Sequence, residues 1–116
     1  IIIKFIKKKK MKTKIQKYKK LSQTLKEAKE KKSIASVQFN ELLNLRTEQK
    51  KQLHNLYNLE YNLDYYSKEI VGSINRTKTN IEFLSESIVT LNSYIKSKSV
   101  YIKHILSKMS NLNNNN

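Results

Sequence analysis

Residues 63–76 read LDYYSKEIVGSINR, and Gly72, near the end of this stretch, is the only glycine in 116 residues. Long runs with helical patterning flank it on both sides. If Gly72 ends a helix in a left-handed cap, the chain folds back into a hairpin. If it lies inside a helix, it weakens that helix by about 1 kcal/mol relative to alanine and the chain runs on. A bend or local fray is the third outcome.

Downstream of Gly72, Ile74, Ile81, Ile88, Ile95, Ile102 and Met109 recur every seven positions. Three residues further along stand Thr77, Leu84, Leu91, Lys98, Ile105 and Leu112. This is a heptad repeat with β-branched residues in the first column and mostly leucine or isoleucine in the second. Such spacing predicts a long helix packed on other helices through a left-handed seam. Upstream, a second series runs through Leu42, Leu45, Gln49, Gln52, Leu56, Leu59, Leu63, Tyr66 and Ile70. Extended past Ile70 it falls on Ser73, whereas the downstream series begins at Ile74. The two seams are out of register by a stutter within residues 70–74, so the expectation is a continuous helix over 33–110, with a break at 70–75 as the alternative.

The fold class expected is therefore all-α: long amphipathic helices forming a coiled coil, with a register change or bend near Gly72. Before the main helix, Ile15, Tyr18, Leu21, Leu25 and Ala28 form a shorter apolar stripe, which predicts an amphipathic helix over 15–32. Thr24 and Glu27 have capping-box spacing, which, with Leu21 already in the stripe, reads equally as a pair within a helix; Ser33 or Ser36 is placed to start a second helix, and a joint is expected near 29–36. Residues 1–14 read as a basic arm open to disorder, and 111–116 (NLNNNN) as a disordered asparagine-rich tail.

The formal charge is +15, with no cysteine, proline or tryptophan. Residues 1–32 hold 14 lysines and two glutamates, a net +12, while residues 33–116 hold ten basic and seven acidic groups, a net +3. Lys7, Lys8, Lys9, Lys10, Lys12, Lys14, Lys17, Lys19 and Lys20 make a candidate anion-binding arm for weak contact with nucleic acid or an anionic membrane. A solvated charged helix face has the same composition. The opening IIIKFI is too short to cross a bilayer, and it precedes its lysines, the reverse of a secretory signal. With Met11 following the tetralysine, residues 1–10 also read as upstream sequence or a fragment boundary.

Catalytic chemistry has little to work with. His54 and His104 lie 50 residues apart without cysteine nearby, so no zinc spacing is present. One glycine cannot build a phosphate-binding loop, and the acidic residues are scattered singly. The expectation is a chain that is not an enzyme, has no cofactor, metal or small-molecule substrate, and works through its helical faces. Tyr57, Tyr61 and Tyr65 recur every four positions, as residues sharing a helix face do, and Tyr66 adjoins them. Lys98, in a seam column, is expected either to reach solvent along its stem or to select partner and register. Asn75-Arg76-Thr77 has the pattern of a glycosylation acceptor, discounted here for want of a secretory signal.

The expected partner-helix interface comprises Leu56, Leu59, Leu63, Tyr66, Ile70, Ile74, Ile81, Leu84, Ile88, Leu91, Ile95, Ile102, Ile105 and Met109. Its partners are other coiled-coil subunits of a hetero-oligomer, a second copy, or a hairpin made at one of the weak points.

Leu63, Asp64, Tyr66, Lys68 and Ile70, with Arg76, Leu84 and Leu91 after them, resemble the motif of the snapin-like small coiled-coil subunits of the biogenesis of lysosome-related organelles complex. Tyr65 stands where that family commonly has proline. The resemblance covers roughly residues 63–109. It implies a non-enzymatic subunit bundled with other small helical proteins in endosomal or lysosomal trafficking, cytoplasmic and peripheral on those membranes. KEIVGSI, the later isoleucines and Tyr101 also resemble the coiled-coil region of the THO complex subunit 7 family, which implies nuclear messenger-RNA processing and export instead.

Overall fold

The computed structural model describes the backbone of residues 2–114 and the side chains of residues 12–114. The chain is all-α: helix α1 spans Ile2–Asn62 and helix α2 spans Lys68–Asn114. Nothing within either helix forces a stop, because proline is absent and lysine, leucine, glutamine and glutamate are all good helix formers. The backbone of residues 2–14 is accordingly part of α1 rather than a separate arm, no joint interrupts residues 29–36, and Asn111–Asn114 belong to α2. Residues 115 and 116 of the expected tail lie outside the described residues.

The helix expected to be continuous over 33–110 is instead divided at residues 63–67, upstream of the glycine. Asn62, Asp64 and Ser67 carry short polar side chains that compete with helical backbone bonding. The Leu63 N–H closes α1 on the Glu60 carbonyl at 3.3 Å. Ser67 then starts α2: its hydroxyl accepts from the Ile70 N–H at 3.3 Å and its carbonyl accepts from the Val71 N–H at 3.1 Å. This is N-cap geometry. Glu69 adds a carboxylate in the first turn, where it complements the helix dipole. No described residue has a positive φ, so the five-residue turn needs no glycine.

Gly72 lies inside α2 with helical backbone. A Cβ there would stand 3.4 Å from Nη1 of Arg76, an ordinary contact with the end of a flexible side chain. The two seams differ in register because they belong to different helices, and the switch at 70–74 is the consequence of the turn before it.

Two compact units form. Ala35–Tyr94 contains the turn and is a helical hairpin. Its antiparallel pairing brings Arg46 against Ser85 and Tyr57 against Lys78. Ala35, Ile74, Thr77 and Ile88 are its buried residues, with Phe39, Leu42, Leu53, Leu56, Ile81, Leu84 and Leu91 half-buried around them. Thr77 tolerates burial because its hydroxyl donates to the Ser73 carbonyl at 2.8 Å. The second unit comprises Ile1–Ile34 and Ile95–Asn116. Here Ala28, Ile102, Ile105 and Met109 are buried, flanked by half-buried Leu21, Leu25, Ile95 and Leu112. An alanine opposite large residues lets two helix backbones approach closely.

Candidate partner-binding surface

On α2 the heptad columns are the inward face. Ile74, Ile88, Ile102, Ile105 and Met109 are buried, and Ile70, Ile81, Leu84, Leu91 and Ile95 are half-buried. The covering helix within each unit is α1, so the chain itself shields much of the expected partner seam. Leu56 and Leu63 are half-buried on α1 and at the turn.

Leu59 and Tyr66 lie outside the seam that α1 and α2 make with each other, where they are 49% and 77% exposed. The expected series paired Leu42, Gln49, Leu56 and Leu63 with residues three further on. The structure continues this column back through Ala35 and Ala28 and pairs it with the residues three before: Leu25, Phe39 and Leu53, interleaved with Lys32 and Arg46. Leu45 and Leu59 lie on the flank, and Tyr66 is in the turn. Sequence periodicity missed Phe39 and Leu53, because charged residues alternate with apolar ones along that column; it also missed Ala35, which lies in the other column, seven residues before Leu42.

The polar seam residues each find an outlet. Nη1 of Arg46 donates to the Ser85 hydroxyl at 3.5 Å, a contact at the limit of hydrogen bonding. Lys98, half-buried, holds its ammonium 5.4 Å from the centre of the Tyr101 ring, within cation–π range. No described side chain has a buried polar atom without a partner.

Two helices can cover only one stripe of each other, and no described side chain in the chain is fully enclosed. In the hairpin unit the seam stays open along one flank. A groove of about 670 Å³ runs there between Leu42 and Leu45 of α1 and Leu91 and Tyr94 of α2, with Glu41 and Glu86 at its rim. Tyr61, Tyr65 and Tyr66 stand out at the turn, Tyr61 being 89% exposed. They do not form the single helix face expected of Tyr57, Tyr61 and Tyr65, because Tyr65 has left the helix. Tyr57 remains on α1, where the ammonium of Lys78 lies 5.4 Å from its ring centre. The side-chain hydrogen bond to Tyr57 and the attraction of that phenol raise the pKa of Lys78 above the ordinary lysine value.

Lys12, Lys17, Lys19 and Lys20 are exposed and Lys14 is half-buried. Lys7, Lys8, Lys9 and Lys10 lie on α1, but their side chains are outside the described residues. Among the described residues, no three His, Cys, Asp or Glu side chains gather in a way that could hold a metal ion. Nor is any described helix long and apolar enough to cross a membrane. Compared with known proteins, the chain matches no family model, no curated protein and no solved structure.

Proposed function

We propose that this chain is a non-catalytic coiled-coil scaffold subunit, completing its core with helices from other subunits or from a second copy. The observation that carries the reading is the open flank of the hairpin unit. There Leu42, Leu45, Leu91 and Tyr94 present apolar surface continuous with the seam. Helical bundles close such a flank with another helix, and the exposed tyrosines at the turn supply the large, amphipathic side chains that dominate protein interfaces.

The pathway proposed is endosomal or lysosomal trafficking, on cytoplasmic membrane surfaces; its support is the resemblance at Leu63, Asp64, Tyr66, Lys68 and Ile70. A nuclear role in messenger-RNA processing is the second reading, favoured by the resemblance of Lys68–Ile74, which opens α2.

The test is gentle purification of the full chain with whatever accompanies it, beside Leu45→Glu and Tyr94→Glu variants. A stoichiometric helical partner or concentration-dependent self-association, lost in both variants while helicity persists, is the expected result. A cooperatively folded monomer at all concentrations, with no stoichiometric partner, would sink the proposal. The identity of the copurifying subunits separates the two pathways.

A further inference from the structure

Folding changes where the positive charge lies. The unit made of Ile1–Ile34 and Ile95–Asn116 carries 18 lysines against two glutamates, a formal +16. The hairpin unit, Ala35–Tyr94, carries six basic and seven acidic residues, a formal −1. Four of the 18 lysines, Lys96, Lys98, Lys103 and Lys108, come from α2. The basic region is therefore a pair of helices with a shaped surface, not one lysine-rich segment.

On that surface lies a groove of about 500 Å³. Lys17 and Lys20 of α1 and Lys108 of α2 stand at its rim, and Leu21, Tyr101 and Leu112 give it an apolar lining. No acidic residue lines it. We propose that this groove seats an anionic phospholipid surface, the three ammonium groups meeting headgroup phosphates while Leu21, Tyr101 and Leu112 meet the glycerol and upper acyl region.

Three features favour lipid over nucleic acid. Both arginines of the chain, Arg46 and Arg76, are in the hairpin unit, so the basic unit has none of the planar forks that read base edges or grip phosphates in pairs. Lysine at an interface keeps its stem in apolar surroundings and its charge among headgroups, and tyrosine is favoured at the same depth. An apolar lining serves an acyl chain and is of no use to a sugar–phosphate strand. The contact is peripheral, through lysine clusters of the kind that hold proteins to acidic leaflets. It does not depend on assembly with other subunits.

The experiment is cosedimentation of the full chain with phosphatidylcholine vesicles, with and without roughly one-fifth phosphatidylserine. The chain should bind only the acidic vesicles, and less as ionic strength rises. Lys17→Gln/Lys20→Gln/Lys108→Gln should lose about tenfold or more in vesicle affinity. The charge-matched Lys26→Gln/Lys29→Gln/Lys103→Gln, all exposed positions, should lose clearly less. Tyr101→Ser should weaken vesicle binding and leave binding of a DNA duplex unchanged. Equal losses in the two triple variants would overturn the groove in favour of a diffuse polycation. A duplex bound more tightly than acidic vesicles, with Tyr101→Ser without effect on either, would overturn the lipid assignment in favour of nucleic acid.

Discussion

The Ser67 hydroxyl accepts a hydrogen bond from the Ile70 N–H at 3.3 Å, and with it the chain turns back five residues ahead of its only glycine. The cap satisfies one of the amide donors that a new helix leaves without an intrahelical partner. Replacing Ser67 by alanine should cost about 1 kcal/mol in urea denaturation, and Ser67→Asp should keep most of the stability. If alanine and serine are equally stable, the turn is held by other contacts and the cap is incidental.

Gly72 has helical backbone and room for a methyl group beside Arg76. Gly72→Ala should therefore raise stability by about 0.5–1 kcal/mol, through the lower backbone entropy that alanine loses on folding. A drop in the denaturation midpoint would mean that the close approach of Arg76 matters or that the helix bends there.

Legibility in the sequence was uneven, and the residues explain why. The seam of α2 could be read because isoleucine fills nearly every first-column position, and the fold class followed from it. Half of the α1 seam could be read too, in Leu42, Gln49 and Leu56, with Leu63 just past its end. Its other column was hidden: Lys32 and Arg46 interrupt it, while Leu45 and Leu59, three residues after Leu42 and Leu56, offer an apolar alternative that lies on the flank of the observed pairing. The turn was concealed because glycine draws attention as a helix breaker, whereas here a run of Asp, Tyr, Tyr and Ser ends one helix and caps the next. The grooves could not be read at all, since each is made by residues of both helices.

That corrected column can be tested directly. Leu53 is half-buried in the seam, whereas Leu45 is 48% exposed on the flank. Leu53→Ala should cost about 2–3 kcal/mol, and Leu45→Ala less than about 1 kcal/mol. Equal costs in chemical denaturation would restore the register that places Leu45 and Leu59 inside.

Lys78 has a raised pKa because Tyr57 accepts its hydrogen bond and favours its charged form. A raised folded-state pKa gives a stabilising contribution that is present in full below the ordinary lysine value and is lost as pH rises through the folded value. Tyr57→Phe should return the Lys78 ammonium toward its ordinary titration, followed by NMR of the Nζ group. An unmoved titration in the variant would show that Glu60 and Glu82, the smaller attractions, are the cause instead.

Arg46 is the most informative substitution for how the hairpin avoids alternatives. It is the charged residue in the seam column of the hairpin, and its hydrogen bond, to Ser85, is at the distance limit. Its guanidinium therefore contributes little to stability, yet a polar residue at such a position disfavours any register that would bury it. Ser85 lies on the flank of α2, so in the observed pairing Arg46 reaches sideways out of the seam; a slipped or multimeric packing would cover it. Arg46→Leu should accordingly raise the denaturation midpoint, by about 1 kcal/mol for the added apolar burial, and increase self-association in analytical ultracentrifugation. A variant that is less stable and remains monomeric would mean that the Arg46–Ser85 contact stabilises the pairing itself.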